Sequence, residues 1–189
     1  MRKIGSIVTA VAAAGVLLAA CSSPNAASPS KTTIGSVNSS VSVSGYQTGN
    51  QAADAKAAIA TARTVIDGGS GATIPQRTAL IVDGDAFTPL VTSLDQKLPV
   101  FSTLTIRPTT VLFDPPQACV IRAGGSPCAM VVFDIYAGAG KAFASRNVEV
   151  VKTDGVWKIT APSYCALLQL AGAVCPPGTT SLPSTTTAK

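Results

Sequence analysis

The chain predicts an α+β domain: N-terminal helices packed on a curved antiparallel sheet of about four strands, closed by a short C-terminal helix. Three observations predict it. From Gln51, the residues Ala55, Ile59, Ala62 and Ile66 recur at the helical period and form one stripe. From Phe101 onward the apolar period becomes two, the period of a strand. Two turn signals, Gly138-Ala-Gly-Lys141 and Asp154-Gly155, then fold that region back on itself.

Ahead of the domain, Met-Arg-Lys is followed by seventeen uncharged residues, Ile4 to Ala20. As a helix that run would cover roughly 25 Å, short of a hydrocarbon core of about 30 Å. A basic start, a short apolar run and small residues at its end mark residues 1–20 as a signal peptide. Leu18-Ala19-Ala20-Cys21 resembles the bacterial lipobox. That resemblance implies lipidation of the Cys21 sulfur, cleavage before Cys21, and a mature protein on the outer face of the cell membrane, facing the periplasm or cell wall. Two or more acyl chains anchor stably, where one holds only marginally. The membrane is thus an expected partner through Cys21.

Residues 22–50 are rich in Ser, Asn, Thr and Gly with Lys31 as the only charge. Such a stretch buries too little apolar surface to offset its ordering entropy, so 21–50 reads as a lipidated flexible tether. Residues 176–189, PPGTTSLPSTTTAK, read as a disordered tail. Between them, 51–175 is one domain, large enough to bury roughly two-thirds of its unfolded surface.

Without residues 1–20 the chain carries 12 basic and 9 acidic side chains, a formal +3. No Lys/Arg run exists, which argues against nucleic acid. There are no histidines, so the commonest general base and metal ligand is missing. Neither a cofactor nor a metal is expected. With Cys21 lipidated, Cys119, Cys128, Cys165 and Cys175 remain, an even number in an exported chain. Three pairings are open. Cys119–Cys128 and Cys165–Cys175 are favoured because each pair is close in sequence and flanked by turn residues. Zinc is the alternative, but these spacings lack the usual knuckle of two to four residues.

Within the domain, Asn50 is a fair N-cap for the first helix and Gly68-Gly69 a stop. A helical turn is expected over 76–82, then a helix opening at Thr88-Pro89 with Leu90, Val91 and Leu94 inward. Strands are expected at about 102–113, 128–137, 142–152 and 156–161, with a short extra piece at 119–122. Pairing Gly138 with Lys141 sets Val131 opposite Val148, Phe133 opposite Arg146 and Ile135 opposite Ala144. Pairing Thr153 with Val156 sets Val150 opposite Ile159 and Val148 opposite Ala161. Val131, Phe133, Ile135, Val148, Val150, Trp157 and Ile159 then share one face, which a one-residue slip would scatter. A last helix runs from Pro162-Ser163 to Ala171, tied back by Cys165.

The ending Gly155-Val-Trp-Lys-Ile-Thr-Ala-Pro-Ser-Tyr-Cys-Ala-Leu-Leu-Gln-Leu-Ala-Gly172 resembles the mycobacterial low-molecular-weight antigen family of secreted proteins and lipoproteins. So does Ile66-Asp67 with Pro75-Gln-Arg-Thr-Ala-Leu-Ile-Val-Asp-Gly84 upstream. The resemblance covers about residues 50–175. It implies a cystatin-like or nuclear-transport-factor-2-like cone, export, and no established activity, and it offers no catalytic residue to carry over. The four domain cysteines depart from the plain antigens, although related actinobacterial proteins carry a Cys–Cys pair around the last helix.

Local motifs for chemistry fail on inspection. Ala137-Gly-Ala-Gly-Lys141 has Ile135 and Ala142 where a phosphate loop needs Gly and Ser or Thr, and it precedes a strand. Ser28-Pro-Ser-Lys31 matches the Ser-x-x-Lys of penicillin-interacting enzymes but lies in the tether. Asp83-Gly-Asp85 lacks the Glu of a calcium loop. Asp134 and Tyr136 would be the pair for an enzyme, yet the register puts both on the outer face. Arg146 falls on the apolar face beside Phe133, where it must find a partner or reach water. It is the candidate ligand anchor, for a carboxylate or lipid headgroup.

Two functions follow. The first is a non-enzymatic interaction domain that meets a protein partner in the envelope. The alternative is a carrier of a small apolar or lipid ligand inside the cone. Bulky residues filling the concave face would favour the first; a hollow lined by Ala144 and small neighbours would favour the second.

Overall fold

In a computed structural model of the protein, the described residues are 32–36, 39–45, 50–115, 119 and 127–179. The signal, Cys21, most of the 119–122 piece and the tail beyond 179 lie outside them. Six strands form one sheet in the order of the chain: β1 Thr32–Ser36, β2 Ser39–Gly45, β3 Leu104–Phe113, β4 Cys128–Ala137, β5 Gly140–Thr153 and β6 Val156–Ile159. Four helices accompany it: α1 Gln51–Ile66, α2 Ile74–Thr78, α3 Thr88–Lys97 and α4 Ala161–Gln169.

The α+β class holds, with two corrections to the sheet. It has six strands, and β2 runs parallel to β3, so it is mixed. The extra strands come from the Ser-rich stretch read as tether. β1 and β2 pair antiparallel, and Val41 and Val43 of β2 are buried in the core. The tether reading therefore fails for these residues. Composition penalised the serines, but their alternation with valine leaves one apolar face, which joins the core.

Helix α1 begins where its cap dictates: Asn50 accepts a hydrogen bond from the Ala53 N–H at 3.1 Å. Its buried face is Ala55, Ala58, Thr61, Ala62 and Val65, rotated from the expected stripe, with Ile59 and Ile66 at its margins. Small residues let the helix lie close on the sheet, and Thr61 is accommodated because its hydroxyl donates to the Trp157 carbonyl at 3.0 Å. Asp54 adds a second tie, accepting from Lys152 Nζ at 2.8 Å and Trp157 Nε1 at 3.1 Å. Helix α2 starts in a capping box between Thr73 and Gln76. Helix α3 carries Pro89 in its first turn; only Val91 of its expected inner residues is fully buried, with Leu90 and Leu94 partly so.

The far half of the β4–β5 hairpin keeps the expected register, with Val131 opposite Val148 and Phe133 opposite Arg146. Nearer the turn it changes. A two-residue loop, Gly138-Ala139, places Ala137 opposite Gly140, and two bulges set Phe143, not Ala144, opposite Ile135. Ser145 takes the strained φ of +51° in the first bulge, and its N–H donates to Asp134 Oδ1 at 3.0 Å, which holds that geometry. Val150 pairs with Ile159 as expected, but β6 ends there, so Val148 and Ala161 are not partners. The free edge of β6 is covered by 80–82, whose backbone exchanges hydrogen bonds with Ile159.

Phe87, Phe113, Phe133, Val131, Val148 and Val150 form the centre of the core. Disulfides join Cys119 to Cys128 and Cys165 to Cys175. The first backs the outer face of the sheet with Val151; the second fastens α4 to the strandless segment that follows it.

Candidate functional site

A cleft of about 350 Å³ opens where the sheet's hairpin end meets the helices. Its floor is Val65 and Ile66 from the end of α1, with Leu104 and Ile135 from the sheet. One wall is Leu98, Val100 and Phe101, in and just before the 3-10 turn Pro99–Thr103. That wall is held in place by Gly68, where any Cβ would collide with the backbone of Phe101 and Ser102. The opposite wall is Ala137, Ala142 and Phe143 of the hairpin, and α4 with its last turn adds Leu167, Leu168, Leu170 and Ala171.

Arg77 and Tyr164 supply the polar groups. Arg77 Nε donates to the Val65 carbonyl at 3.1 Å, while Nη1 donates to Asp95 Oδ2 at 3.0 Å and Oδ1 at 3.3 Å. The guanidinium is thus anchored and its charge is balanced. Tyr164 packs edge-on against Phe87, with ring centroids 5.3 Å apart. Burial pushes its phenol pKa up, and the adjacent Arg77 only partly opposes this, so it stays a neutral hydrogen-bonding group. Neither residue was singled out from sequence. The one legible signal was Arg77 as the single charge between Asp67 and Asp83.

Arg146 is not among the residues lining this cleft. It is half-buried opposite Phe133, with its guanidinium carbon 5.5 Å from the Phe143 ring and its buried Nε without a hydrogen-bond partner among the described residues. Asp134 and Tyr136 sit on the other face. Asp134 pairs with Lys141 at 2.6 Å, and that hydrogen bond, helped by the Ser145 N–H, holds its carboxyl below the usual range. Arg107 stacks on Tyr136 at 4.0 Å from the ring centroid. Both outer-face residues are thus engaged with cations rather than poised over a cleft.

Glu149 is the one buried acid among the described residues. It lies on the outer face within reach of the Cys119–Cys128 sulfurs, and burial pushes its pKa up. Cys119, Cys128 and Glu149 are close enough together to resemble a ligand cluster, but the disulfide consumes both thiolates. A second depression, about 570 Å³ beside Ser70 and Gln76, is open to solvent and lined by no charged residue.

These features define a small disulfide-braced α+β domain with an apolar cleft carrying a neutralised polar corner. Residues 51–175 match the family described as low molecular weight antigen MTB12, C-terminal domain, and the chain belongs to that family. No curated protein and no solved structure matches the chain. Among the described residues, no helix is long and apolar enough to cross a membrane.

Proposed function

We propose that this is a non-enzymatic cell-envelope lipoprotein, anchored through Cys21, that binds a small apolar ligand with at most an uncharged polar end. The cleft carries this reading. Its volume lies at the small end of ordinary ligand sites, its lining is almost wholly aliphatic and aromatic, and its polar groups are few and convergent. It brings the ligand-carrier reading ahead of the protein-partner reading, because the hollow is lined in part by Ala137, Ala142 and Ala171. Because Asp95 already balances Arg77, the site is built for a hydroxyl, ester or amide beside an apolar body rather than for a carboxylate.

The test uses the chain from residue 21 with Cys21→Ser, exported through an oxidising compartment and titrated with a fluorescent polyene fatty-acid methyl ester. Saturable one-to-one binding is expected. Ala142→Trp, which fills the cleft from the hairpin wall, should weaken it at least tenfold with the far-ultraviolet circular dichroism of the fold unchanged. Absence of saturable binding would return the function to a surface that meets a protein partner.

A further inference from the structure

We propose that the mouth of this cleft docks on an anionic lipid bilayer, so that the ligand enters from the outer leaflet itself; this rests on the cleft being a ligand site. Six large apolar side chains are notably exposed among the described residues, and four of them line this cleft: Leu98 at 36%, Val100 at 49%, Phe143 at 38% and Leu170 at 43%. They come from three separate parts of the chain: the corner after α3, the β4–β5 hairpin, and the end of α4. Folding has gathered them around one opening. A contiguous apolar rim of this kind marks an interaction surface.

Charge selects the partner. Lys97, in the last turn of α3, directly precedes Leu98, and the Arg146 guanidinium lies against Phe143. Asp95 is matched by Arg77 and Asp134 by Lys141, while Asp67, next to the cleft-lining Ile66, accepts from the Gly69 N–H and offsets one of the two cations. The apolar ring is therefore flanked by net positive charge. That is the pattern of side chains that enter the acyl boundary while cations meet anionic headgroups. Arg146, whose position off the cleft makes it a poor anchor for a ligand inside, has a role here at the rim.

The lipid anchor proposed at Cys21 makes weak docking sufficient. Since the sheet begins at Thr32, ten residues separate it from Cys21. Fully extended, those ten residues span at most about 35 Å. A domain held that close to the leaflet experiences a high effective concentration of lipid, so the rim needs only modest affinity.

The experiment is co-sedimentation of the Cys21→Ser chain from residue 21 with vesicles of phosphatidylcholine alone, or with one-third phosphatidylglycerol. The double variant Lys97→Glu with Arg146→Gln removes the two flanking cations, neither of which lines the cleft, and is compared in parallel. Each protein is also titrated with the soluble methyl-ester probe without vesicles. The expected result is binding to the anionic vesicles, weakened about tenfold or more in the double variant, which still takes up the probe. Probe binding without vesicle binding would overturn the docking and leave the cleft reading intact. Vesicle binding that survives the double variant would place the contact elsewhere and overturn it too. Vesicle binding without probe uptake would remove the ligand reading and, with it, entry from the leaflet. Self-association lost in the double variant, with no vesicle binding, would assign the rim to a second copy.

Discussion

Arg77 and Asp95 meet across α2 and α3, with one guanidinium nitrogen reaching both carboxylate oxygens at 3.0 and 3.3 Å. The pair fixes the electrostatic character of the cleft, because the Arg77 side chain is 13% exposed and lies beside an otherwise apolar lining. Replacing Asp95 by Asn leaves the cation unbalanced. Asp95→Asn should therefore shift the cleft from the methyl ester toward the free fatty acid by about tenfold, while costing about 1 kcal/mol of stability. Paired titrations with the acid and ester probes, and urea midpoints, check both halves.

Asp54 ties α1 to the sheet, and its pH dependence has a definite sign. The Lys152 hydrogen bond, with help from Trp157, holds the Asp54 carboxyl below its ordinary value. A lowered carboxylate pKa stabilises the fold above the unfolded value near 3.9, and that stability is lost as pH falls through the folded pKa. Asp54→Asn should cost about 1–2 kcal/mol at neutral pH, and the difference from the parent should fade in acid as the pH drops through the lowered folded pKa. Denaturation at neutral and acid pH checks it.

Glu149 has the opposite sign. Burial raises its pKa, so the carboxylate is a liability that appears as pH climbs past the unfolded value near 4.3 and levels off above the folded one. Glu149→Gln should raise the urea midpoint at pH 7 and leave it unchanged near pH 4. The Cys119 backbone N–H keeps an oxygen to bond, so no donor is stranded.

The two disulfides should separate in function. Cys165–Cys175 closes a loop of sequence separation 10 and Cys119–Cys128 one of 9. Loop entropy gives each about 2.5–3 kcal/mol. Only the former holds α4, which forms a wall of the cleft. Replacing Cys165 and Cys175 by Ala should lower both stability and probe affinity. Replacing Cys119 and Cys128 should lower stability and leave probe affinity within about twofold, since that bridge lies on the outer face.

Much of the fold was legible because it is local. The Asn50 cap, the strand period through Val131, Phe133 and Ile135, and the pairing of Val150 with Ile159 each depend on residues near one another in the chain. The hairpin near Lys141 was misread by one or two positions. A bulge depends on whether Ser145 can hold a positive φ against Asp134, and periodicity carries no such information. The candidate site was legible only in its face of the sheet: Arg146 was placed opposite Phe133, while the cleft's polar corner fell to Arg77 and Tyr164.

By itself the sequence determined the α+β class, the main helix and strands, and the family to which residues 51–175 belong. Those follow from period, caps and turn residues, all short-range properties of the chain. Tertiary structure decided the rest. Val41 and Val43 become core only because β2 joins the sheet beside β3, and Arg77 becomes a neutral corner only because α3 brings Asp95 to it. The cleft exists because α1, α4, the 3-10 wall and a bulged hairpin converge without filling the space between them. Its shape depends on contacts between distant segments, which no local pattern encodes.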